Sequence, residues 1–312
     1  MTTFAFVFPG QGSQSVGMLD AWGEHPAVRD TLAEASQALG EDIARLIHEG
    51  PKEQLDLTTN TQPVMLAAAV ACYRAWMAET GRAPALVAGH SLGEYSALVA
   101  AGSLTLADAL PLVRFRAQAM QEAVPVGAGA MAAILGLDAE LVRSTCAEVE
   151  AAVGETVSAA NYNDPKQTVI AGSKAAVEQA CEALKGRGAK RALPLPVSAP
   201  FHCALMKPAA ERLEERLAAV ELRAPQIPLI NNIDVAVHDA PEAIREALYR
   251  QAFGPVRWVE VVQAMHSRGV THVVECGPGK VLGGLARRIV AELAVGHVND
   301  PASLAETKGM LA

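Results

Sequence analysis

The chain has no excess of positive charge. Acidic side chains outnumber basic ones by 34 to 26, which gives a formal net charge of −8 among 312 residues. A nucleic-acid surface needs clustered lysine and arginine, so this balance argues against DNA or RNA as a partner. It also gives no indication of a basic face that would bind a membrane surface. We therefore expect neither nucleic acid nor a membrane among the partners.

Long apolar runs, targeting signals and paired cysteines are also missing. No apolar run approaches the ~18 residues that a spanning helix needs, and residues 1–8 lack the pattern of a signal peptide. The five cysteines form no CxxC pair and are odd in number, so we expect small buried thiols in a reducing compartment. These absences predict a cytoplasmic protein, and no pattern indicates a metal or an organic cofactor.

Two glycine-rich loops fall short of a phosphate-binding motif. Gly10-Gln11-Gly12 and Gly277-Pro278-Gly279-Lys280 fit neither Gly-x-x-x-x-Gly-Lys-Ser/Thr nor Gly-x-Gly-x-x-Gly. Nucleotide hydrolysis is therefore not expected.

What is present is enough apolar sequence, 51% of residues, to bury a large core. A strand at residues 4–8 leads into a loop at 9–14, and a mostly helical region follows. Pro63 stands where a first-turn proline belongs, which predicts a helix over residues 64–79 that ends at Gly81.

The pattern changes near residue 128. Short strands and helices then alternate over residues 131–137, 139–152, 157–161, 167–171, 174–185 and 191–197. This βαββαβ order is that of a ferredoxin-like unit. We therefore predict an α/β protein in which residues 1–127 and 198–312 form a large domain and residues 128–197 an inserted ferredoxin-like subdomain. The large domain is expected to resume with a strand at 227–230, helices near 241–251 and 259–267, a strand at 271–275 and a last helix to Leu293.

The most informative motif is Gly89-His90-Ser91-Leu92-Gly93. It follows an apolar strand and precedes a helical segment, which is the setting of a nucleophile elbow. Glycines at both ends remove side chains that would collide with the strand and the helix. This context favours a nucleophilic Ser91 over a purely structural turn.

A serine nucleophile needs a base, and the eight histidines offer several choices. His90 is adjacent to Ser91, and neighbouring side chains on a tight turn diverge, so we interpret it as a wall of the elbow. His202 lies in a proline-containing loop after the insert, where rigid elements hold loops that carry catalytic side chains. The remaining histidines have no local signature. The acids Asp108, Asp138 and Asp164 lie between the serine and His202 and each has a structural explanation, as a helix cap, a helix start or a turn residue.

These motifs together resemble the bacterial malonyl-CoA:acyl carrier protein transacylase family. The matching stretches occur in family order over nearly the whole chain: Phe8–Gln14, Thr61–Pro63, Gly89–Ser96, Met120–Pro125, Lys190–Ser198, His202–Pro208 and Gly277–Leu282. The resemblance implies an α/β-hydrolase-like fold with a ferredoxin-like subdomain. It also implies ping-pong transfer of malonyl from malonyl-CoA to acyl carrier protein in fatty acid synthesis, without a cofactor.

The resemblance also assigns roles to the candidate residues. Ser91 is the expected nucleophile and His202 its base, oriented by the backbone carbonyl of Gln251 in place of a triad acid. The backbone N–H of Leu92 is the expected oxyanion donor, and Gln11 supplies or positions a second one.

Two further residues are assigned to substrate recognition. The resemblance selects Arg116, rather than Arg114 on the same helix, to pair with the malonyl carboxylate. Phe201 precedes the histidine where most bacterial members have a small residue, and its bulk would fill the space of an α-methyl branch. Asn161 and Asn163 either line the acyl pocket or build a turn.

Three alternatives remain open from the sequence. A serine hydrolase such as a thioesterase would use water in place of the carrier-protein thiol. A polyketide-dedicated malonyl transferase would use the same chemistry in another pathway. A non-catalytic scaffold would keep the fold without needing the serine, histidine and arginine together.

Overall fold

Two four-stranded sheets organise the chain in the computed structural model, which describes residues 2–312. The strands are β1 (Phe4–Phe8), β2 (Leu86–Gly89), β3 (Gly129–Leu135), β4 (Val157–Asp164), β5 (Gln167–Ser173), β6 (Arg191–Pro194), β7 (His272–Cys276) and β8 (Ala294–Val298). The helices are α1 (Pro26–Leu39), α2 (Ile43–Glu49), α3 (Lys52–Leu55), α4 (Thr58–Thr80), α5 (Gly93–Ala100), α6 (Leu106–Glu122), α7 (Ala139–Val153), α8 (Lys174–Gly186), α9 (Lys207–Ala219), α10 (Pro241–Phe253), α11 (Trp258–Ser267), α12 (Val281–Ile289) and α13 (Pro301–Met310). The chain is a mixed α/β protein, as predicted.

The first sheet is parallel and has the order β2-β1-β7-β8. All five residues of strand β1 are buried. Since side chains alternate between the two faces of a strand, β1 is covered on both faces. Phe4, Phe6 and Phe8 share one face, and the aromatic rings of Tyr73 and Trp76 on α4 pack edge-on against them. This stacking fixes the central strand against the longest helix, and the loops that follow β1 and β2 therefore start from a rigid base.

The second sheet is antiparallel and has the order β4-β5-β3-β6. Helices α7 and α8 pack on it, so the βαββαβ order expected between residues 128 and 197 is present. Strand β4 joins this unit to the rest of the chain. Tyr162 donates a backbone hydrogen bond to Val256 (2.9 Å), and buried Asp164 accepts one from Arg288 (2.8 Å).

The predicted start of the long helix is wrong. Helix α4 begins at Thr58, and Pro63 lies inside it rather than in its first turn. The hydroxyl of Thr61 donates to the carbonyls of Leu55 and Leu57, so side-chain bonds support this end of the helix. The predicted end is confirmed, because Gly81 caps the helix in a left-handed conformation with φ of 62°.

Two other predictions about the second half of the chain are wrong. Residues 227–230 form isolated bridges, from Leu229 to Val87 and from Ile230 to Val237, instead of a strand. Pro228 has no N–H to donate to a ladder, which limits pairing there. The helix predicted to run to Leu293 is α12, which ends at Ile289 and is not the last helix. Strand β8 and helix α13 follow it, although neither was predicted, and they complete the parallel sheet and cover its edge.

All five cysteines are buried free thiols, as expected. No helix in the described part of the chain has both the length and the apolar composition to cross a membrane. Residues 2–312 also contain no group of three or more His, Cys, Asp or Glu side chains placed to hold a metal ion.

Gly93 is the point of closest approach between α5 and the central strand. A Cβ atom at this position would lie 2.0 Å from the carbonyl oxygen of Phe8, and backbone atoms cannot rotate away. We predict that Gly93→Ala lowers the free energy of unfolding by roughly 1–3 kcal/mol or more, measured by urea denaturation.

Gly284 provides the matched control, because it is also helical but has only a side-chain atom of Arg288 within contact range, at 3.6 Å. Gly284→Ala is expected to raise stability by about 0.5–1 kcal/mol. Equal stability of Gly93→Ala and the wild-type protein would contradict the packing argument.

Candidate active site

Ser91 lies on a sharp turn at the carboxyl edge of the parallel sheet. Strands β1 and β2 are parallel neighbours, so the loops that carry Gln11 and Ser91 leave the sheet at the same edge. Ser91 has a left-handed φ of 52°, which a non-glycine residue adopts only under constraint. A Cβ at Gly89 would lie 1.9 Å from the backbone of Gly93, so the turn requires glycine there. The geometry is that of a nucleophile elbow.

His202 reaches the serine from a different part of the chain. Its Nε2 lies 2.6 Å from Oγ of Ser91, and its side chain is buried. Its Nδ1 lies 2.9 Å from the carbonyl oxygen of Gln251 and 3.2 Å from that of Gly254. Carbonyl oxygens only accept hydrogen bonds, so they select the tautomer with the proton on Nδ1 and leave Nε2 free to accept a proton from Ser91.

The three acids considered from the sequence are engaged elsewhere. Asp108 lies in the first turn of α6 and bonds to its N-cap residue. Asp138 pairs with Lys166, and Asp164 with Arg288. Within residues 2–312 the histidine is thus oriented by backbone atoms and not by a carboxylate.

Arg116 brings a buried positive charge to the nucleophile. Its guanidinium, in a residue only 2% exposed, donates to Oε1 of Gln62 (2.8 Å), to Oε1 of Gln251 (3.1 Å) and to Oγ of Ser91 (3.3 Å). In the described chain no carboxylate forms a salt bridge with it. Arg114, the alternative left by helical periodicity, instead pairs with Glu41 away from the site.

Burial and the charge of Arg116 together change the pKa values around the Ser91–His202 pair, which we call the dyad. Burial, together with the smaller effect of the nearby positive charge of Arg116, lowers the pKa of the His202 imidazole to about 3. Burial raises the pKa of the neighbouring Glu94 carboxyl to about 7, although hydrogen bonds from Gln251 and Asn232 act to lower it. The imidazole is therefore neutral at physiological pH, which is the form that a general base requires.

Two backbone N–H groups remain available beside Ser91. Among residues 2–312, neither the N–H of Leu92 nor that of Gln11 donates a hydrogen bond to another protein group. Leu92 also caps helix α5, whose positive end faces the same point. The side-chain amide of Gln11 instead donates to Thr58 (3.1 Å), so this loop offers its backbone N–H rather than its side chain.

A cavity of about 650 Å³ opens from the dyad between the two sheets. Leu92, Phe201 and the dyad line its floor, while Asn161 and Asn163 line it from the second sheet. Both asparagines lie on strand β4, so the alternative that they build a turn is wrong.

Several residues of the site have no role in the sequence analysis. Gln62 and Glu94 occur in the matched motifs, but only the structure shows that they contact Arg116 and Gln251. The side chain of Gln251 bonds to the arginine, the glutamate and the Ser91 carbonyl, whereas only its backbone was assigned. Asn232 lies in none of the motifs. It is 141 residues from Ser91 in the sequence and contacts the elbow only in the folded chain.

Comparison with known proteins matches this geometry to a family. A family model described as acyl transferase domain matches residues 5–297. The malonyl CoA-acyl carrier protein transacylase of Escherichia coli K12 is 55% identical over 306 residues, which are 98% of each chain. The chain belongs to the malonyl CoA-acyl carrier protein transacylase family. The resemblance drawn from the motifs is therefore confirmed.

Solved structures of this transacylase family have the same fold. The acyl-carrier-protein S-malonyltransferase of Burkholderia pseudomallei 1710b superposes with a TM-score of 0.96 at 64% identity, over 98% of this chain and 99% of that one. A malonyl-transacylase solved in complex with a type II polyketide synthase acyl-carrier protein has a TM-score of 0.95 at 53% identity, over 97% and 98% of the two chains.

The buried imidazole gives a testable expectation. We predict that the His202 ring does not titrate between about pH 5 and about pH 8, because its pKa lies far below the ordinary 6.5. Nitrogen NMR of the histidine side chains would measure this, with His202→Asn identifying the signal. A titration midpoint near 6.5 for that signal would contradict the electrostatic argument.

Proposed function

We propose that this enzyme transfers a malonyl group from malonyl-CoA to the phosphopantetheine thiol of acyl carrier protein through an acyl-enzyme on Ser91. The observation that carries the proposal is the buried guanidinium of Arg116, 3.3 Å from the Ser91 hydroxyl and bonded only to uncharged groups. It is an [acyl-carrier-protein] S-malonyltransferase.

The environment of Arg116 favours a carboxylate-bearing acyl group. A buried charge without a paired charge costs free energy, and amide oxygens compensate for it only in part. The malonyl carboxylate would complete this pairing with two parallel hydrogen bonds, which a guanidinium provides and an ammonium does not. An acetyl group has no carboxylate to offer, so we expect the site to reject acetyl-CoA.

The first half-reaction forms the acyl-enzyme. Oγ of Ser91 attacks the thioester carbonyl while Nε2 of His202 accepts the hydroxyl proton. The N–H groups of Leu92 and Gln11 stabilise the resulting oxyanion, and each such donor is worth ~10²–10³ in rate. The C–S bond then breaks, and the imidazolium returns the proton to the CoA thiolate.

The second half-reaction reverses these roles. Nε2 of His202 removes the proton from the carrier-protein thiol, whose sulfur attacks the ester on Ser91. The bond between the acyl carbon and Oγ of Ser91 breaks, and the imidazolium returns a proton to Oγ. The backbone carbonyl of Gln251 keeps the imidazole oriented through both steps, since it holds the Nδ1 proton.

We also infer the domain organisation behind this site. The parallel sheet with its elbow supports an α/β-hydrolase-like domain made of residues 1–127 and 198–312. The β4-β5-β3-β6 order, with two helices packed on the sheet, supports a ferredoxin-like subdomain at residues 128–197.

Fatty acid synthesis in the cytoplasm is the pathway that we propose for the product. Malonyl-carrier protein also supplies polyketide synthesis, and the 53% identical malonyl-transacylase was solved with a polyketide carrier protein. The chemistry of the site is the same for both pathways.

Intact-protein mass spectrometry after brief mixing with malonyl-CoA tests the function. We predict a malonyl-sized mass gain that disappears in Ser91→Ala and discharges onto holo acyl carrier protein. Arg116→Ala is expected to lower the loading rate by at least about 100-fold, because the carboxylate loses its charged partner. Arg116→Lys, which keeps the charge, is expected to recover only part of that loss.

The other outcomes separate the alternatives. An adduct that decays in water as fast without carrier protein as with it would indicate a hydrolase. Wild-type protein that forms no adduct would indicate a scaffold. Loading with acetyl-CoA as fast as with malonyl-CoA would contradict the role of Arg116.

Phe201 tests the choice among acyl groups. Its side chain lines the same cavity as His202, which supports our inference that its bulk excludes an α-methyl branch. We predict that Phe201→Ser raises kcat/KM for methylmalonyl-CoA relative to malonyl-CoA by at least about tenfold, since room for one additional methyl-sized group in a hydrophobic pocket is worth about 10–200-fold in discrimination. An unchanged ratio of the two constants would remove Phe201 from the argument.

A further inference from the structure

Backbone strain marks three places in the described chain. Outside glycine, positive φ values occur at Ser91, His202 and Val235, with 59° at the last. Two of these residues form the dyad. The third is β-branched, and such residues adopt this conformation only when their surroundings impose it. Contacts around the loop that contains Val235 therefore hold it in this conformation.

This loop folds back on itself next to the elbow. The backbone N–H of Asn231 and its side-chain amide both donate to the carbonyl of Ala236, at 3.0 and 2.9 Å. Its side-chain oxygen accepts the N–H of Asp234 at 2.7 Å. These bonds close the turn, and the next residue, Asn232, is directed into the protein.

Every polar atom of the Asn232 side chain contacts the nucleophile turn. Its Oδ1 accepts the backbone N–H of Ser91 (2.7 Å), and its Nδ2 donates to the carbonyl of Gly89 (2.7 Å). Its own backbone N–H donates to Oε2 of Glu94 (2.9 Å), on the helix that follows. The residue is fully buried, so water does not replace these bonds.

The same loop also supports the histidine. Asp234 accepts two hydrogen bonds from Arg250, both at 2.7 Å. Arg250 immediately precedes Gln251, whose carbonyl accepts the Nδ1 proton of His202 and whose amide donates to the carbonyl of Ser91 (3.1 Å). One loop thus connects the backbone of the nucleophile to the group that orients its base.

We propose that Asn232 is a positioning residue for the nucleophile, which holds Ser91 in its left-handed conformation through the two side-chain hydrogen bonds to the backbone of Gly89 and Ser91. Without them the left-handed serine relaxes, and its hydroxyl leaves the line to Nε2 of His202. Displacements of about 1 Å cost on the order of 100-fold in rate. Binding of the acyl carboxylate is expected to persist, because Arg116 keeps its hydrogen bonds to Gln62 and Gln251, neither of which bonds to the Asn232 side chain.

Asn232→Ala is the first variant, and Asn231→Ala is the matched control. Both asparagines are buried and adjacent, and each side chain makes two hydrogen bonds, but those of Asn231 stay within its own loop. Asn232→Ala is expected to lower the single-turnover acylation rate at saturating malonyl-CoA about 100-fold, with KM within about threefold of wild type. Asn231→Ala keeps the backbone hydrogen bond from residue 231 to Ala236 and the pairing of Asp234 with Arg250, which still hold the loop. It is therefore expected to keep the rate within about threefold.

Asn232→Asp provides a second, more conservative test. It keeps the acceptor for Ser91, but when ionised it places a carboxylate against the Gly89 carbonyl. The titratable group in contact with this position is Glu94, whose own charged neighbours are Arg116 and Asp234. Protonation restores a donor, so the acylation rate relative to wild type is expected to fall at least about tenfold between about pH 5.5 and about pH 8.5.

The acylation assay rests on the proposed function, because it uses malonyl-CoA. A fluorophosphonate probe, which labels nucleophilic serines, tests the role of Asn232 separately. The probe needs no malonyl group, so loss of labelling in Asn232→Ala supports the proposal even if malonyl-CoA proves not to be the substrate. Equal losses in both alanine variants, or wild-type labelling in Asn232→Ala, would overturn it. Should Asn232→Ala fail to fold, an Asn232→Asp rate ratio that does not change with pH would overturn it.

Discussion

The sharp turn at Ser91 is the constraint on which the site depends. Helix α5 approaches β2 at Gly89 and β1 at Gly93 so closely that a side chain at either glycine would overlap backbone atoms. The compression aims the serine hydroxyl out of the sheet and points the free N–H of Leu92 toward the same space. A left-handed serine is not stable by itself, so the turn needs support from outside its own sequence. That support comes from β1 on one side and from the loop at residues 231–236 on the other.

Electrostatics in the site follow from burial. Arg116, Glu94 and His202 share one desolvated network in which the amide of Gln251 joins the arginine to the glutamate. Burial, and then the positive charge of nearby Arg116, lower the pKa of the His202 imidazole, so it remains neutral. In the proposed function Arg116 therefore has two effects. It attracts the acyl carboxylate, and it adds to the effect of burial that keeps the histidine deprotonated before the reaction begins.

The sequence allowed prediction of those parts whose determinants are local. The elbow at residues 89–93 follows from glycine spacing between a strand and a helix, and the βαββαβ order follows from periodicity over residues 129–194. Determinants distant in sequence left no such signal. The carbonyl of Gly254 and the amide of Asn232 act through tertiary contacts 52 and 141 residues away. Pro63 misled the prediction of α4 because proline is common at helix starts, whereas here side-chain bonds of Thr61 extend the helix before it.

Residues from both sheets line the site. Gln11, Ser91 and Leu92 lie on the turns that follow β1 and β2 of the parallel sheet, and Arg116 lies within helix α6. The antiparallel sheet contributes the opposite wall, where Asn163 on β4 lies 2.8 Å from the ring of His90. The residues that contact Ser91 and His202 thus come from outside the antiparallel sheet, whereas the cavity is lined from both sheets. Because Phe201 lies on the segment that leads from the second unit back to the first, it contacts the apolar clusters of both. Phe201 makes no hydrogen bond to the turn at residues 89–93, so in the proposed function we expect a substitution there to alter the cavity without moving the elbow, and acyl selectivity to be separable from nucleophile positioning.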